Sequence, residues 1–233
     1  MPKLQLPTVT LFGADTVDLD RLLNVFAICE QYADFGAKKI LAKSDRDYTT
    51  ESGIDIRHTD LIDSLDDYNA FMLRYLNDHI DTDFALVVQY DGFILNPDAW
   101  TDEFLAYDYI GAPWYIDGTQ VVGNGGFSIR SKRLLETVQR DPHIAIDRST
   151  SEQHCKNDDW LLCVLHRERL EQSGIRFASP ELAHRFSLEE NEEYGGVWSN
   201  QFGFHGLRWT DISAWIKENP QWGIENPLDQ TSL

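Results

Sequence analysis

Over the first ninety positions the apolar residues alternate between two periods, and that alternation predicts strands and helices in turn. Val9-Thr-Leu-Phe12 reads as a strand ending in Gly13-Ala-Asp15, and Leu19 to Tyr32 follows with helical spacing at Leu22, Leu23, Phe26 and Ala27. Lys39-Ile-Leu-Ala-Lys43 reads as a second strand running into the polar loop Ser44-Asp-Arg-Asp-Tyr48. Asp66 to Ile80 is a second predicted helix, with Tyr68, Phe71, Met72, Tyr75 and Leu76 on one face. Residues 84–92, Phe-Ala-Leu-Val-Val-Gln-Tyr-Asp-Gly, begin as an apolar strand buried on both faces and stop on a carboxylate and a glycine. Short connections between alternating elements imply a parallel sheet with right-handed crossovers.

Beyond residue 92 the pattern changes. Pro97 to Leu105 reads as a short helix, Tyr107-Asp-Tyr-Ile-Gly111 as extended, and Gly123-Asn-Gly-Gly126 as a loop leading into the strand Phe127-Ser-Ile-Arg130. Asn157 to Gln172 is a long predicted helix and Ile175-Arg-Phe-Ala178 another strand. The last forty residues, rich in Trp, Gly and Asn, are expected to close over the sheet edge. The fold class is therefore α/β, one domain over residues 1–233, with a mostly parallel central sheet and an α+β C-terminal half.

Composition narrows the function. The 233 residues, 42% hydrophobic and 25% charged, suit one domain with a real core. Twenty basic against 39 acidic residues, a net charge of −19, argue against a nucleic-acid surface and against a polybasic membrane anchor. Cys29, Cys155 and Cys163 stand at no framework spacing, and the N-terminus has neither a signal-peptide core nor a long apolar span. The expectation is a cytoplasmic protein with no integral membrane segment; nothing in the chain fixes an oligomeric state. His154, Cys155, Cys163 and His166 look briefly like a zinc set, but Cys163 lies in the apolar run Trp160 to Leu165, where a thiol packs as a small hydrophobe.

The chemistry concentrates at a few polar positions. Gln89 and Asp91 share one face beyond the carboxyl end of the central strand, where α/β sheets bind ligands, and their oxygens suit a divalent cation or a ligand hydroxyl. Asp158 and Asp159 open a helix, where Asn157 can cap and the dipole favours negative charge. Gly123, Gly125 and Gly126 allow positive φ and close backbone approach, and the run is no dinucleotide fingerprint because it leads into a strand. Each has a plainer reading: a strand-terminal turn for Asp91, a helix start for the aspartates, a simple turn for the glycines, and packing in an aromatic-lined turn for His205.

Taken in order, Gln89-Tyr90-Asp91, the glycine loop 123–126, Asn157-Asp-Asp159 and Phe204-His205-Gly206 resemble the DxD motif, glycine-rich loop, xED motif and C-terminal histidine of GT-A fold glycosyltransferases. More closely, Gln89 to Pro97, Asp108 to Trp114, Gly123 to Arg130 and Phe202 to Gly206 resemble an uncharacterised, largely microbial family related to those transferases, over roughly residues 8–206. The resemblance implies a Rossmann-like, GT-A-like domain, with residues 1–92 as the nucleotide-sugar donor half, 93–206 as the metal and acceptor half, and 207–233 as a tail. It implies Mn²⁺ or Mg²⁺ held by Asp91 and His205, with Gln89 in place of the first Asp, a weaker ligand suited to a ribose hydroxyl. It implies Asp159 as general base beside Asp158, and donor contacts from Phe12, Gly13, Asp15, Asp45, Tyr68, Arg74, Gln89, Tyr90, Gly125 and Gly126. Trp114, Trp160, Trp198 and Trp209 are candidates to stack on a sugar.

The cation has a physical rationale. A diphosphate 4 Å from a carboxylate meets a repulsion of roughly 4 kcal/mol per charge pair at an effective dielectric near ~20, and a divalent ion reverses that sign. The function so implied is a metal-dependent, inverting transfer of sugar from a nucleotide-sugar to a hydroxyl-bearing glycan or small acceptor, in glycan or polysaccharide assembly. Two alternatives stand beside it. One is a noncatalytic nucleotide- or sugar-binding relative, suggested by Gln89. The other is a sugar nucleotidyltransferase, although Phe12-Gly13-Ala14-Asp15 lacks the glycine-rich, Arg- or Lys-bearing phosphate loop of such enzymes.

Overall fold

A computed structural model describes residues 2–189 and 196–225. Strand β1 (Leu4–Ala14) pairs in parallel with β2 (Ala33–Ala42) on one side and with β5 (Phe84–Val88) on the other. Beyond β2 lies β4 (Asp55–His58), also parallel, and β3 (Tyr48–Thr49) closes that edge antiparallel. On the far side β9 (Phe127–Ser131) runs antiparallel to β5, and β6 (Tyr109–Ile110) antiparallel to β9. The seven-stranded order is β3-β4-β2-β1-β5-β9-β6. The chain thus leaves β1 toward β2 and comes back to pair β5 on the opposite side, and such a switch opens a crevice at the carboxyl ends of β1 and β5.

Alternate strand residues face opposite layers. Leu11 and Leu86 join Val25, Phe26, Phe93 and Phe204 in the larger core, whereas Phe12 and Val87 join Leu41, Phe71, Met72 and Leu135 in the smaller one. Helix α1 (Leu19–Tyr32) covers the first layer, its start capped by the Asp18 carboxylate accepting from the amides of Asp20 and Arg21. Helix α2 (Leu65–Arg74), capped by Ser64, covers the second layer with α3 (Lys132–Arg140). A helix opens at Asp158 as α4 (Asp158–Trp160), widens to a π-helical stretch over Leu161–Leu165, and resumes as α5 (Arg167–Gln172).

The hairpin of β7 (Pro113–Ile116) and β8 (Thr119–Val122) turns at Asp117 and Gly118, both at positive φ as such tight turns require. Helix α6 (Pro180–Phe186) leads into β10 (Ser187–Leu188), which pairs in parallel with β11 (Gly203–Phe204). The amide of Gly206 then donates to the carbonyl of Asp91 at 2.8 Å, which brings the end of β11 onto the end of β5. Helix α7 (Ser213–Glu218) seats Trp215 against Phe93, ring centroids 5.1 Å apart.

Several expectations need correction. The central sheet is largely parallel as expected, from β4 to β5, and the refinement is that its edges pair antiparallel. The first two strands are longer than the apolar runs, because pairing extends them. The helix expected to Ile80 ends at Arg74 and tightens to a 3₁₀ turn at Leu76–His79, and the one expected over 97–105 is two 3₁₀ turns, Pro97–Ala99 and Asp102–Ala106. The strand expected at 175–178 is a single bridge from Phe177 to Tyr109. Residues 226–233 of the expected tail lie outside the described residues. Among the described residues no helix is long and apolar enough to cross a membrane.

Candidate functional site

Strand β5 stops where Gln89 to Gly92 form a tight turn, the amide of Gly92 donating to the carbonyl of Gln89 at 3.2 Å. The turn holds Asp91 6% exposed, and its Oδ1 is buried without an aligned hydrogen bond. That oxygen lies 3.4 Å from Nε2 of His205, and Oε1 of Gln89 lies 3.2 Å from the same nitrogen. The Gln89 oxygen is aimed there because its Nε2 donates to the Tyr68 hydroxyl at 3.0 Å. Burial alone would lower the pKa of His205, but the carboxylates of Asp91 and Glu189 outweigh it and raise it to about 10.

The arrangement fits a divalent cation. Donors each about 2.0–2.2 Å from one ion and at right angles stand about 3 Å apart. The imidazole nitrogen stands near that spacing from each of the two oxygens. A carboxylate oxygen, an amide oxygen and an imidazole nitrogen form a mixed set, and the oxygens are of the type that Mg²⁺ and Mn²⁺ take. The buried Asp91 Oδ1 is the orphaned acceptor that an ion would satisfy.

The glycine loop joins this pair to a second carboxylate. The amide of Gly125 donates to Asp159 Oδ2 at 2.7 Å, and Gly126 lies so close to His205 that an added Cβ would stand 2.2 Å from its ring. The loop's positive φ falls on Asn124, at 56°, and not on its glycines, which are there for closeness. Asp159 also accepts from the amide of Trp160 at 2.7 Å and stays partly exposed. Burial first, then the neighbouring Asp158 charge, raise its pKa to about 7, a value suited to taking up a proton near neutrality.

Asp158 is not available for such work. Its side chain is buried and its Oδ2 accepts from Arg130 Nη1 at 2.6 Å, while its amide donates to Asn69 on α2. Arg130 is fully buried, with Nε on the Ser128 hydroxyl at 3.1 Å. Asn157 makes no side-chain cap, since its Oδ1 accepts instead from Asn69 Nδ2 at 3.4 Å.

Beside Gln89 a cavity of about 280 Å³ opens at the ends of β1 and β5, lined by Ala14, Asp15, Arg21, Ser64, Tyr68 and Tyr90 among others. Asp15 accepts from the amides of Val17 and Asp18 and from Arg21, whose guanidinium sits 4.0 Å over the Tyr90 ring. Val17 and Leu65, 84% and 55% exposed, form an apolar lip. Of the expected donor contacts, Asp15, Tyr68, Gln89 and Tyr90 meet here. Phe12 does not: its ring is buried against Phe71, because its strand position faces the second layer. Gly13 is packed under Leu22 of α1, and Asp45 is exposed on its loop, outside the cavity lining. Arg74 donates to the carbonyls of Val138, Gln139 and Asp141 and so closes the end of α3.

Among the tryptophans, Trp209 faces His205 with ring centroids 6.3 Å apart, Trp114 donates to Glu189 at 2.7 Å and lies 6.4 Å from Trp160, and Trp198 donates to the carbonyl of Gln201. Cys163 is buried in the core, which takes it out of any set with His154 and Cys155; these two sit with Glu152 on an outer surface. Arg130, Asn124 and Glu189 carried no local signal in the sequence, since each acts through a partner far along the chain. A family model described as "Protein of unknown function (DUF5672)" matches residues 53–205. No curated protein matches the chain.

Proposed function

The chain belongs to that family of unknown function, and from its site we propose that it is a metal-dependent, GT-A-like glycosyltransferase moving a sugar from a nucleotide-sugar to a hydroxyl acceptor. The observation that carries the reading is the convergence of Asp91, His205 and Gln89, the last two 116 positions apart, beside a cavity at the switch point of the sheet. Bound there, Mn²⁺ or Mg²⁺ supplies the charge that neutralises the donor diphosphate and stabilises it as a leaving group. Asp15 and Arg21 order the cavity for the nucleoside. Asp159 takes the proton of the acceptor hydroxyl as its oxygen attacks the anomeric carbon, and the bond from that carbon to the diphosphate oxygen breaks with both electrons leaving on the diphosphate. In-line attack inverts the anomeric centre. Three unpaired cysteines favour a reducing compartment such as the cytoplasm.

Calorimetry with a nucleoside diphosphate tests the metal. Binding should be tighter with Mn²⁺ than with EDTA, and Asp91→Ala should erase that difference; equal metal dependence in the variant sinks the assignment. A second reading, a noncatalytic binder, is favoured by Gln89, whose amide is already spent on Tyr68 and His205. Slow donor hydrolysis without acceptor separates the two, because a transferase leaks sugar to water and a binder does not.

A further inference from the structure

The proposed reaction uses one nitrogen of His205 and leaves the other unexplained. Nδ1 lies 3.1 Å from Oε1 of Glu189, and both side chains are 13% exposed. The other oxygen of Glu189 accepts from Trp114 Nε1 at 2.7 Å. Asn124 is engaged as well: its Oδ1 accepts from the amide of Phe127 at 3.1 Å, which turns its Nδ2 to within 2.8 Å of His205 Nδ1. That amide also bonds to Glu189. Glu189 therefore gathers donors from the β7–β8 hairpin, the glycine loop and the segment after β11. The glycine loop is fitted to two of these partners, since a Cβ at Gly123 would stand 2.2 Å from the Trp114 ring and one at Gly126 equally close to His205.

We propose that Glu189, anchored by Trp114, is a positioning residue that keeps a proton on Nδ1 of His205, so that a divalent cation beside Asp91 displaces the proton of Nε2 and takes up that nitrogen's lone pair. The inference rests on the metal-assisted reading above. A ligating imidazole must be neutral at the ligating nitrogen, and a carboxylate on the opposite N–H fixes ring and tautomer together while raising ligand basicity. With Gln89 standing where a second carboxylate would strengthen the ion's hold, the basicity of His205 bears more of the affinity. Without Glu189, Nδ1 would be left to accept from Asn124, which favours the proton on Nε2 and blocks the ligand position.

The test is Mn²⁺ binding to the full chain with a nucleoside diphosphate present, followed by electron paramagnetic resonance or calorimetry, so no turnover enters. Glu189→Gln and Trp114→Phe should keep a cooperative melt and weaken Mn²⁺ by about 10–100-fold for Glu189→Gln, the range for removing such a partner, and by less for Trp114→Phe. Nitrogen-15 spectra with Mg²⁺ should find His205 protonated on Nδ1 in the wild type. If Glu189→Gln fails to fold, Trp114→Phe alone decides. Wild-type Mn²⁺ affinity in the folded variants, or a proton on Nε2 in the wild type, overturns the positioning role while Asp91→Ala still reports on the metal reading. A wild type that binds no Mn²⁺ overturns both.

Discussion

At the scale of single residues the two adjacent aspartates show how one step along a helix separates structure from chemistry. Asp158 points inward to Arg130, and Asp159 points to the glycine loop and keeps some access to solvent. Asp159→Asn should leave donor affinity near wild type and cut transfer by about 10²–10⁴-fold, the usual worth of a general base. Turnover retained in that variant would assign the base elsewhere. The wild-type rate should rise through about pH 7 as the carboxyl ionises. Stability should run the other way. A carboxyl raised above its unfolded value near ~3.9 holds a proton in the native state that the unfolded chain has lost, so stability falls as pH climbs from there through about 7. Urea titrations at pH 5 and pH 8 should show that decline in the wild type and a flatter profile in Asp159→Asn. The sequence placed Asp159, Asp91 and His205 together through their motif order, but Phe12 and Arg74 went to the wrong places. Phe12 is one strand position from the crevice side and so faces the core, and the long Arg74 side chain found carbonyls on α3, a helix the sequence reading had not anticipated.

At the scale of elements, the buried Arg130–Asp158 pair ties β9 to the start of α4, and Asn69 ties that same start to α2. Removing one partner leaves a charge unpaired in the interior. Asp158→Asn should therefore cost about 3–5 kcal/mol in denaturant unfolding, and a well-packed apolar replacement of both, such as Arg130→Met with Asp158→Leu, should recover much of it. A loss below 1 kcal/mol in the single variant would mean that water reaches the pair. Helix α1 was legible to its last residue because Asp18 caps it and its apolar stripe is regular. The 175–178 strand was not, because an apolar alternation of four residues is satisfied as well by one bridge and a packed Phe177. Likewise β2 begins at Ala33 and crosses Gly36, a poor strand former, so that pairing with the neighbouring β1 draws this segment into the sheet. At Gly36 an added Cβ would stand 2.0 Å from the carbonyl oxygen of Pro7, so the close pairing itself demands glycine.

At the scale of the whole molecule, a net charge of −19 opposes the approach of any anionic ligand. Association of a free nucleoside diphosphate without metal should therefore quicken as NaCl rises from ~10 to ~150 mM, since the Debye length shrinks from about 30 to 8 Å. Stopped-flow fluorescence would show it, and a rate that falls with salt would mean that the Arg21 end of the cavity governs approach. The charge was plain in the sequence, and so was the alternation of strands and helices. The mixed order of the sheet was not, because strand direction is set by which partners meet and not by the apolar pattern of either. Every strand of that sheet is complete once Ser131 has been made, yet Asp159 and His205 come afterwards. At roughly 5–20 residues per second the chain takes on the order of 4–15 s to pass from Ser131 to His205. A nascent chain thus has the means to assemble its scaffold well before it can hold a ligand, and ligand capture would mark that synthesis has run past its last essential side chain.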